Sequence, residues 1–253
     1  MYYNRNIIKI VSERVDTNEE KIMARIDKGA LTKIEIIGEA SKQFLEHGYS
    51  NTTVSSIAKG LGMSPGNLTF HYPTKEHLLT ELVGMLCKFQ WELMKREANE
   101  GVSSIMAICL ELTTMLSASE DDEVIKDFFI ASYSSPMCLD LIRRNDTQRA
   151  KTVFADYCPN WTDAQYAEAE MFVSGIEFAT LMTAGDPIPL EARITGALNN
   201  ILSIYGIPEE TRKIKLEKVF AMDYRNLGKR VRMAFKEFVK NSNEKAFREL
   251  VKR

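Results

Sequence analysis

Chemistry in this chain is bounded by where its imidazoles and carboxylates fall. The three histidines are His47, His71 and His77, and residues 78–253 contain none. His-based triads, zinc-hydrolase motifs and the Glu-x-x-His sites of di-iron bundles all need imidazole, so the larger part of the chain cannot build them. No Gly-rich phosphate loop and no G-x-S-x-G elbow occurs. Carboxylate pairs such as Glu168 and Glu170 are two apart on a helix, face apart, and read as solvated. No enzyme activity, metal or cofactor is expected. Hydrogen-bonding chemistry remains. From His47 to Lys75 there is no Asp or Glu, only Lys59, Lys75 and two histidines among serines and threonines. A surface that meets phosphate must keep carboxylates away, so this stretch reads as an interface for nucleic acid.

Two short helices joined by a tight turn would position it. Thr53 can cap the first by accepting from orphan backbone N–H groups. Val54, Ile57, Ala58 and Leu61 then fall at i, i+3, i+4 and i+7, which gives one apolar stripe. Gly62 sits where the chain must reverse and where positive φ costs glycine little. Ser64 can cap a second helix, with Pro65 at its first position, where a missing N–H does no harm. Leu68 can fold back onto Ile57 and Leu61, while Ala58 and Gly62 are small where the helices cross. That is a helix-turn-helix pattern, whose second helix lies in the DNA major groove. An ordinary helical hairpin would satisfy the stripe but would not call for the acid-free surface.

Neighbouring residues extend the pattern. Phe44, Gly48, Tyr49, Thr52, Thr53, Ile57, Ala58, Gly62, Ser64, Gly66, Leu68, Tyr72, Lys75, Glu76 and Leu78 resemble the N-terminal domain of the TetR family of bacterial regulators over roughly Leu31–Leu79. The rest of the chain matches only in size and helical character. The resemblance implies an all-α fold with an N-terminal three-helix DNA-binding domain and a larger helical ligand-binding and dimerisation domain. It further implies a homodimer on a palindromic operator in double-stranded DNA, most often a repressor, released by a small-molecule effector. Carried over position by position, it puts Asn67 and His71 on the recognition helix facing DNA, with Thr69 and Phe70 between them. Ser55 faces the backbone from the preceding helix, Lys75 holds a phosphate, and the caps Thr53 and Ser64 complete the DNA-facing set. Thr69 stands where the family most often has tyrosine, so its hydroxyl reaches less far. Phe70 cannot replace a hydroxyl, though it could touch a thymine methyl.

The chain has 253 residues, 45% of them hydrophobic, enough for one large core or two modest ones. Its net charge of −2 is unevenly spread: residues 1–75 carry +2, residues 76–211 carry −13 and residues 212–253 carry +9. An acidic middle between basic ends suggests different partners for each. Cys87, Cys109, Cys138 and Cys158 show no CxxC spacing and read as reduced, buried thiols. No apolar run reaches membrane-spanning length; the longest, Phe172–Gly185, is interrupted by Glu177. Ile7–Val11 is too short and charged for a signal peptide. A cytoplasmic protein without membrane contact is expected. Residues 1–30 read as a loosely docked extension, with Met23 placed where a relative would begin.

Domains are expected at residues 31–79 and 80–253. Leu31–His47 has the apolar period of a helix stopped by Gly48. A long helix follows from the Thr74 cap to about Asn99. Ser104–Ser117 reads as the next, and the acidic run Glu120–Glu123 opens another, where a helix N-terminus favours carboxylates. Pro136 starts a helix to about Tyr157, and Thr162 with Gln165 forms a capping box for Asp163–Ala184. Leu190–Tyr205 follows Gly185 and Pro187. Met94, Met106, Phe128, Phe129 and Tyr133 could line a ligand cavity with Met115, Met137, Phe154 and Phe172, or could form plain core. Arg143 and Arg144 could meet an anion or point to water. Control by a protein partner stays open beside control by a ligand. The resemblance implies that the last two long family helices pair with their mates as a four-helix bundle. Gly175, Ala179, Gly196 and Ala197 would allow close approach there, and Phe172, Ile176, Ile194 and Ile201 would supply apolar area. Residues 212–253 could be a basic DNA arm or a docked helix. Leu227, Val231, Ala234, Phe235 and Phe238 recur at three or four, which favours docking.

Overall fold

Asp27, four residues before the first strongly apolar position, Leu31, already holds two backbone N–H groups, those of Gly29 at 2.8 Å and Ala30 at 3.1 Å. That cap starts the first helix at Lys28 rather than Leu31. The computed structural model describes residues 27–99, 101–183 and 187–252. The expected extension up to residue 26, Met23 within it, and the break at Gly185 lie outside them. The described residues form eleven helices and no strand: α1 Lys28–His47, α2 Val54–Leu61, α3 Pro65–His71, α4 Lys75–Asn99, α5 Ser104–Asp121, α6 Glu123–Ser134, α7 Pro136–Val153, α8 Asp163–Met182, α9 Leu190–Ile204, α10 Glu209–Phe220 and α11 Tyr224–Lys252. The expected capping boxes are made, Thr53 with Ser56 and Thr162 with Gln165.

Two boundaries depart from expectation. The run Glu120–Glu123 does not open one helix; α5 continues through Asp121, and Asp122 caps α6 by accepting from Val124 and Ile125. Carboxylates at the end of α5 face its negative pole, and arginines compensate. Arg193 of α9 pairs with Glu120, Arg225 of α11 with Asp121, and Arg232 of α11 with Asp122. Helix α7 stops at Val153, short of Tyr157, because Phe154 leaves it to stack on Tyr205 with ring centroids 3.9 Å apart.

Helix α5 is the centre of the larger domain, packed by α6, α9, α10 and α11. Helices α8 and α9 lie together on one side, and α4 runs from the DNA-binding helices into the domain against α7. The basic C-terminal segment is docked. Helix α11 packs on α5, α4 and, at its far end, on α1. Phe235 is 6% exposed, and Phe89 lies 5.5 Å from both Phe235 and Phe238. Burying a phenylalanine contributes roughly 1.5–3 kcal/mol, more than an exposed ion pair, so apolar area decides this docking.

Candidate nucleic-acid interface and regulatory core

Leu68, fully buried, pins α3 onto α1 and α2 with Ile57, Ala58 and Phe44. Between the two helices Gly62 adopts φ 68°, and Met63 N–H returns to the Ala58 carbonyl at 3.0 Å. A side chain at Gly62 would be strained there. Ser64 caps α3 by accepting from Asn67 N–H at 3.2 Å, with Pro65 at its first position. With one face of α3 spent on the core, its other face stands free. Asn67 is exposed and its side chain makes no hydrogen bond among the described residues; Phe70 is 82% exposed and meets His71 edge to face. Thr69 donates to the Gly66 carbonyl at 3.1 Å, which turns its short hydroxyl inward. Thr53 and Ser55 are exposed at the start of α2.

Lys75 departs from the expected phosphate contact. Its ammonium donates to the carbonyls of Tyr49 and Thr52, both at 2.9 Å, and stands 3.9 Å from the centre of the Tyr49 ring. Burial lowers its pKa, with Asp127 pulling the other way. The residue closes the α1–α2 turn onto α4 and has little left to offer DNA. Asp127 of α6 grips the same turn, accepting from Ser50 N–H at 2.8 Å and from the Ser50 hydroxyl. Gly48, at φ 90°, admits it: a Cβ there would stand 2.8 Å from Asp127 Oδ2. Sequence reading took Gly48 only as a helix stop.

Residues 36–82 match the family model for bacterial regulatory proteins of the tetR family. These residues carry the TetR family's DNA-binding domain. Over 53 residues, 21% of this chain, it is 40% identical to the HTH-type transcriptional regulator QacR of Staphylococcus aureus, and the match spans 28% of that relative's length. The TetR family protein CprB from S. coelicolor A3(2) superposes with a TM-score of 0.43 at 20% identity, covering 81% of this chain and 98% of that one. A gamma-butyrolactone receptor, an ArpA-like protein, superposes with a TM-score of 0.37 at 19% identity, covering 82% and 99%. Both superpositions are loose, and the assignment rests on the N-terminal residues.

The larger domain holds two neighbouring cavities. One, of about 80 Å³, lies beneath α11 between α4, α5 and α6, with Met94, Met115, Phe128, Phe129 and Phe235 in its wall. The other, of about 60 Å³, lies between α4–α9 and takes in Tyr133 and Phe154, again with Met115 and Phe129. Three candidate pocket residues lie elsewhere. Met106 is buried in α5 but lines neither cavity, Met137 is 38% exposed on α7, and Phe172 is 52% exposed on α8. Hydrophobicity alone did not tell which side of its helix each would take.

The second cavity carries charge that sequence reading missed. Arg149, 3% exposed, donates to both oxygens of Glu111 and to Asp146 at 3.2 Å, while its Nε is buried without a partner. Burial alone would lower its pKa, but Glu111 and Asp146 more than reverse that. Glu170 accepts from Tyr205 and Glu177 from Tyr133. Burial pushes Glu170 up to about 8 and Asp146 up to about 6, the latter despite Arg149. Burial likewise raises Glu177 well above the usual carboxylate range. Expected to be solvated, Glu170 is 4% exposed; of that pair only Glu168 faces water. Glu177 within an apolar run was the visible signal. Arg143 donates to Ser174 at 2.8 Å, and Arg144 pairs with Asp140 on the surface.

The candidate dimer residues divide by face. Ile194, Ala197 and Ile201 are buried in the protomer's own core. Phe172, Gly175, Ile176 and Ala179 instead line a shallow outer groove with Asn200, Ser203 and Ile204, and Gly196 is exposed on the same helix. Helix α9 carries one apolar stripe, Ile194, Ala197, Leu198, Ile201 and Leu202, opposite Glu191, Asn199 and Asn200, and that stripe is spent on the protomer's own core.

Proposed function

We propose that this chain is a transcriptional repressor that acts in the cytoplasm, binds an inverted-repeat operator in double-stranded DNA as a homodimer, and leaves it when a small molecule enters the larger domain. It is not an enzyme and needs no cofactor. The observation that carries this is the free face of α3, with Asn67 and Phe70 exposed on a stretch without carboxylates. Asn67 and His71 read bases, Phe70 touches an apolar base edge, and Thr53, Ser55 and Ser64 face the backbone. Two cavities bounded by α4 and α6 favour a ligand over a protein partner. Met171, Phe172 and Met182, 46%, 52% and 54% exposed on α8, favour a mate across the α8–α9 face. Selection from a random DNA library should return an inverted repeat, and Asn67→Ala should change base preference by about 1–3 kcal/mol at one position per half-site. Gly196→Arg, on the exposed side of α9, should give monomers by sedimentation. Failure to select any repeat, or a wild-type monomer at operator-binding concentration, would overturn the reading.

A further inference from the structure

The 60 Å³ cavity is lined by four carboxylates, Glu111, Asp146, Glu170 and Glu177, and by one cation, Arg149. Arg149 is committed to Glu111 and Asp146. On α8, Glu170 and Glu177 each receive one tyrosine hydroxyl, and their second oxygens accept nothing from the described residues. An unpaired carboxylate out of water costs several kcal/mol. The fold lowers that cost at Glu170 and Glu177 by favouring the protonated acids, since burial raises the pKa of both. The other titratable groups facing them offer no positive charge: Tyr133 of α6 and Tyr205 beyond α9 are raised, and the Cys87 thiol of α4 is pushed up to about 12.

A positive ligand would satisfy the same oxygens. Among the described residues no three His, Cys, Asp or Glu side chains converge as metal ligands, so an organic cation fits better than a metal ion. The neighbouring 80 Å³ cavity says what else such a ligand carries. Leu86, Gln90, Glu111, Met115 and Phe129 line both cavities, so they form the partition between them. Methionine shifts rotamer at little cost. Beyond the partition the walls are mainly apolar and aromatic, with Phe89, Phe128 and Phe235. A cavity of about 150 Å³ holds benzene, so the two spaces joined suit a single small aromatic group.

We propose that the larger domain binds an amphiphilic organic cation, its ammonium held by Glu170 and Glu177 and its aromatic body laid past Met115 and Phe129 into the cavity beneath α11. This rests on the reading of the domain as an effector site. Binding exchanges one positive charge for another: the carboxylic acid of Glu170 releases its proton to solvent, and the carboxylate that remains pairs with the ammonium. No other bond changes.

Three matched probes test it on the full-length protein: phenethylammonium, the neutral 2-phenylethanol and the anionic phenylacetate. Calorimetry at pH 7 should show the cation binding about tenfold or more tighter than either analogue, as charge-assisted hydrogen bonds imply. Repeating it in two buffers of different ionisation heat should show about one proton released per cation bound and none for the alcohol. Glu170→Gln, which keeps shape while removing the charge that forms on binding, should cost the cation about tenfold, abolish the proton release and leave the alcohol unchanged. Tighter binding of the alcohol or phenylacetate, or cation binding with no proton release, would overturn the proposal, and the wild-type measurement stands even if a variant fails to fold. If an analogue other than the cation releases DNA, effector control survives and cation recognition falls. If the cation binds without releasing the selected operator, the site stands and effector control falls. Binding by none of the three refutes the proposal.

Discussion

The α2–α3 unit and the core around Arg149 treat charge in opposite ways. Between Gly48 and Thr74 there is no carboxylate, and Asn67 is presented to solvent by helices that the Thr53 and Ser64 hydroxyls cap. Between α4 and α9, four carboxylates and one guanidinium from α5, α7 and α8 are gathered around one cavity, Glu170 and Arg149 buried and the others half-buried. The first region is assembled by rules that act over a few residues, so its outward side chains that cap no helix, Asn67 among them, can change with little cost to the fold. The second is assembled by packing of six helices, so its charges are part of what holds them. Removing one polar side chain should therefore alter recognition in the first and stability in the second.

Arg149→Met should give the largest effect. It leaves Glu111 and Asp146 facing each other without their shared cation, and breaking a buried pair from one side costs about 3–5 kcal/mol. Chemical denaturation should show that loss. Unchanged stability would mean that the carboxylates already sit protonated without Arg149, and the contrast between the regions would collapse.

The same contrast explains what could be read in advance. The caps Thr53 and Ser64, the reversal at Gly62 and the anchor Leu68 depend on spacings within twenty residues, and each stands where those spacings put it. Docking of α11 was legible for a related reason, since its apolar period needs a partner whatever that partner is. Glu111, Asp146, Arg149 and Glu170 carry no such pattern: only Asp146 and Arg149 are near in the chain, and all look like surface charges until the helices pack. Glu177, alone in an apolar run, was the one visible sign. Ile194, Ala197 and Ile201 lie in the apolar stripe that α9 turns to α8 and α5, and an apolar stripe does not itself say whether it meets the protomer's own core or a mate.

A smaller effect separates the regions by pH. In the folded chain Glu170 titrates at about 8, whereas a free glutamate titrates near 4.5. Between those values the folded state binds more protons than the unfolded one, so stability is full at the acid end and falls as pH rises toward 8. The loss should be on the order of 1–3 kcal/mol between pH 5 and pH 8, read from denaturation midpoints. Glu170→Gln should flatten that slope, and an equal slope in the variant would place the titration elsewhere.

The smallest effect tests the boundary between the regions, at Lys75. If its ammonium served DNA, removing it would lower the slope of log K against log salt by about one unit per half-site. Instead it spends two N–H groups on the carbonyls of Tyr49 and Thr52 and stands over the Tyr49 ring. Lys75→Met keeps the stem but removes these bonds, so it should lower stability by about 1–2 kcal/mol, a typical loss for a partly exposed charged donor. The salt slope on the selected operator should stay as in the wild type. Those two readings cannot both follow from a phosphate contact, because a side chain that binds DNA from solvent would change the slope and leave the free protein's denaturation midpoint where it was. A changed slope with an unchanged midpoint would move Lys75 from the hinge between the domains to the DNA face.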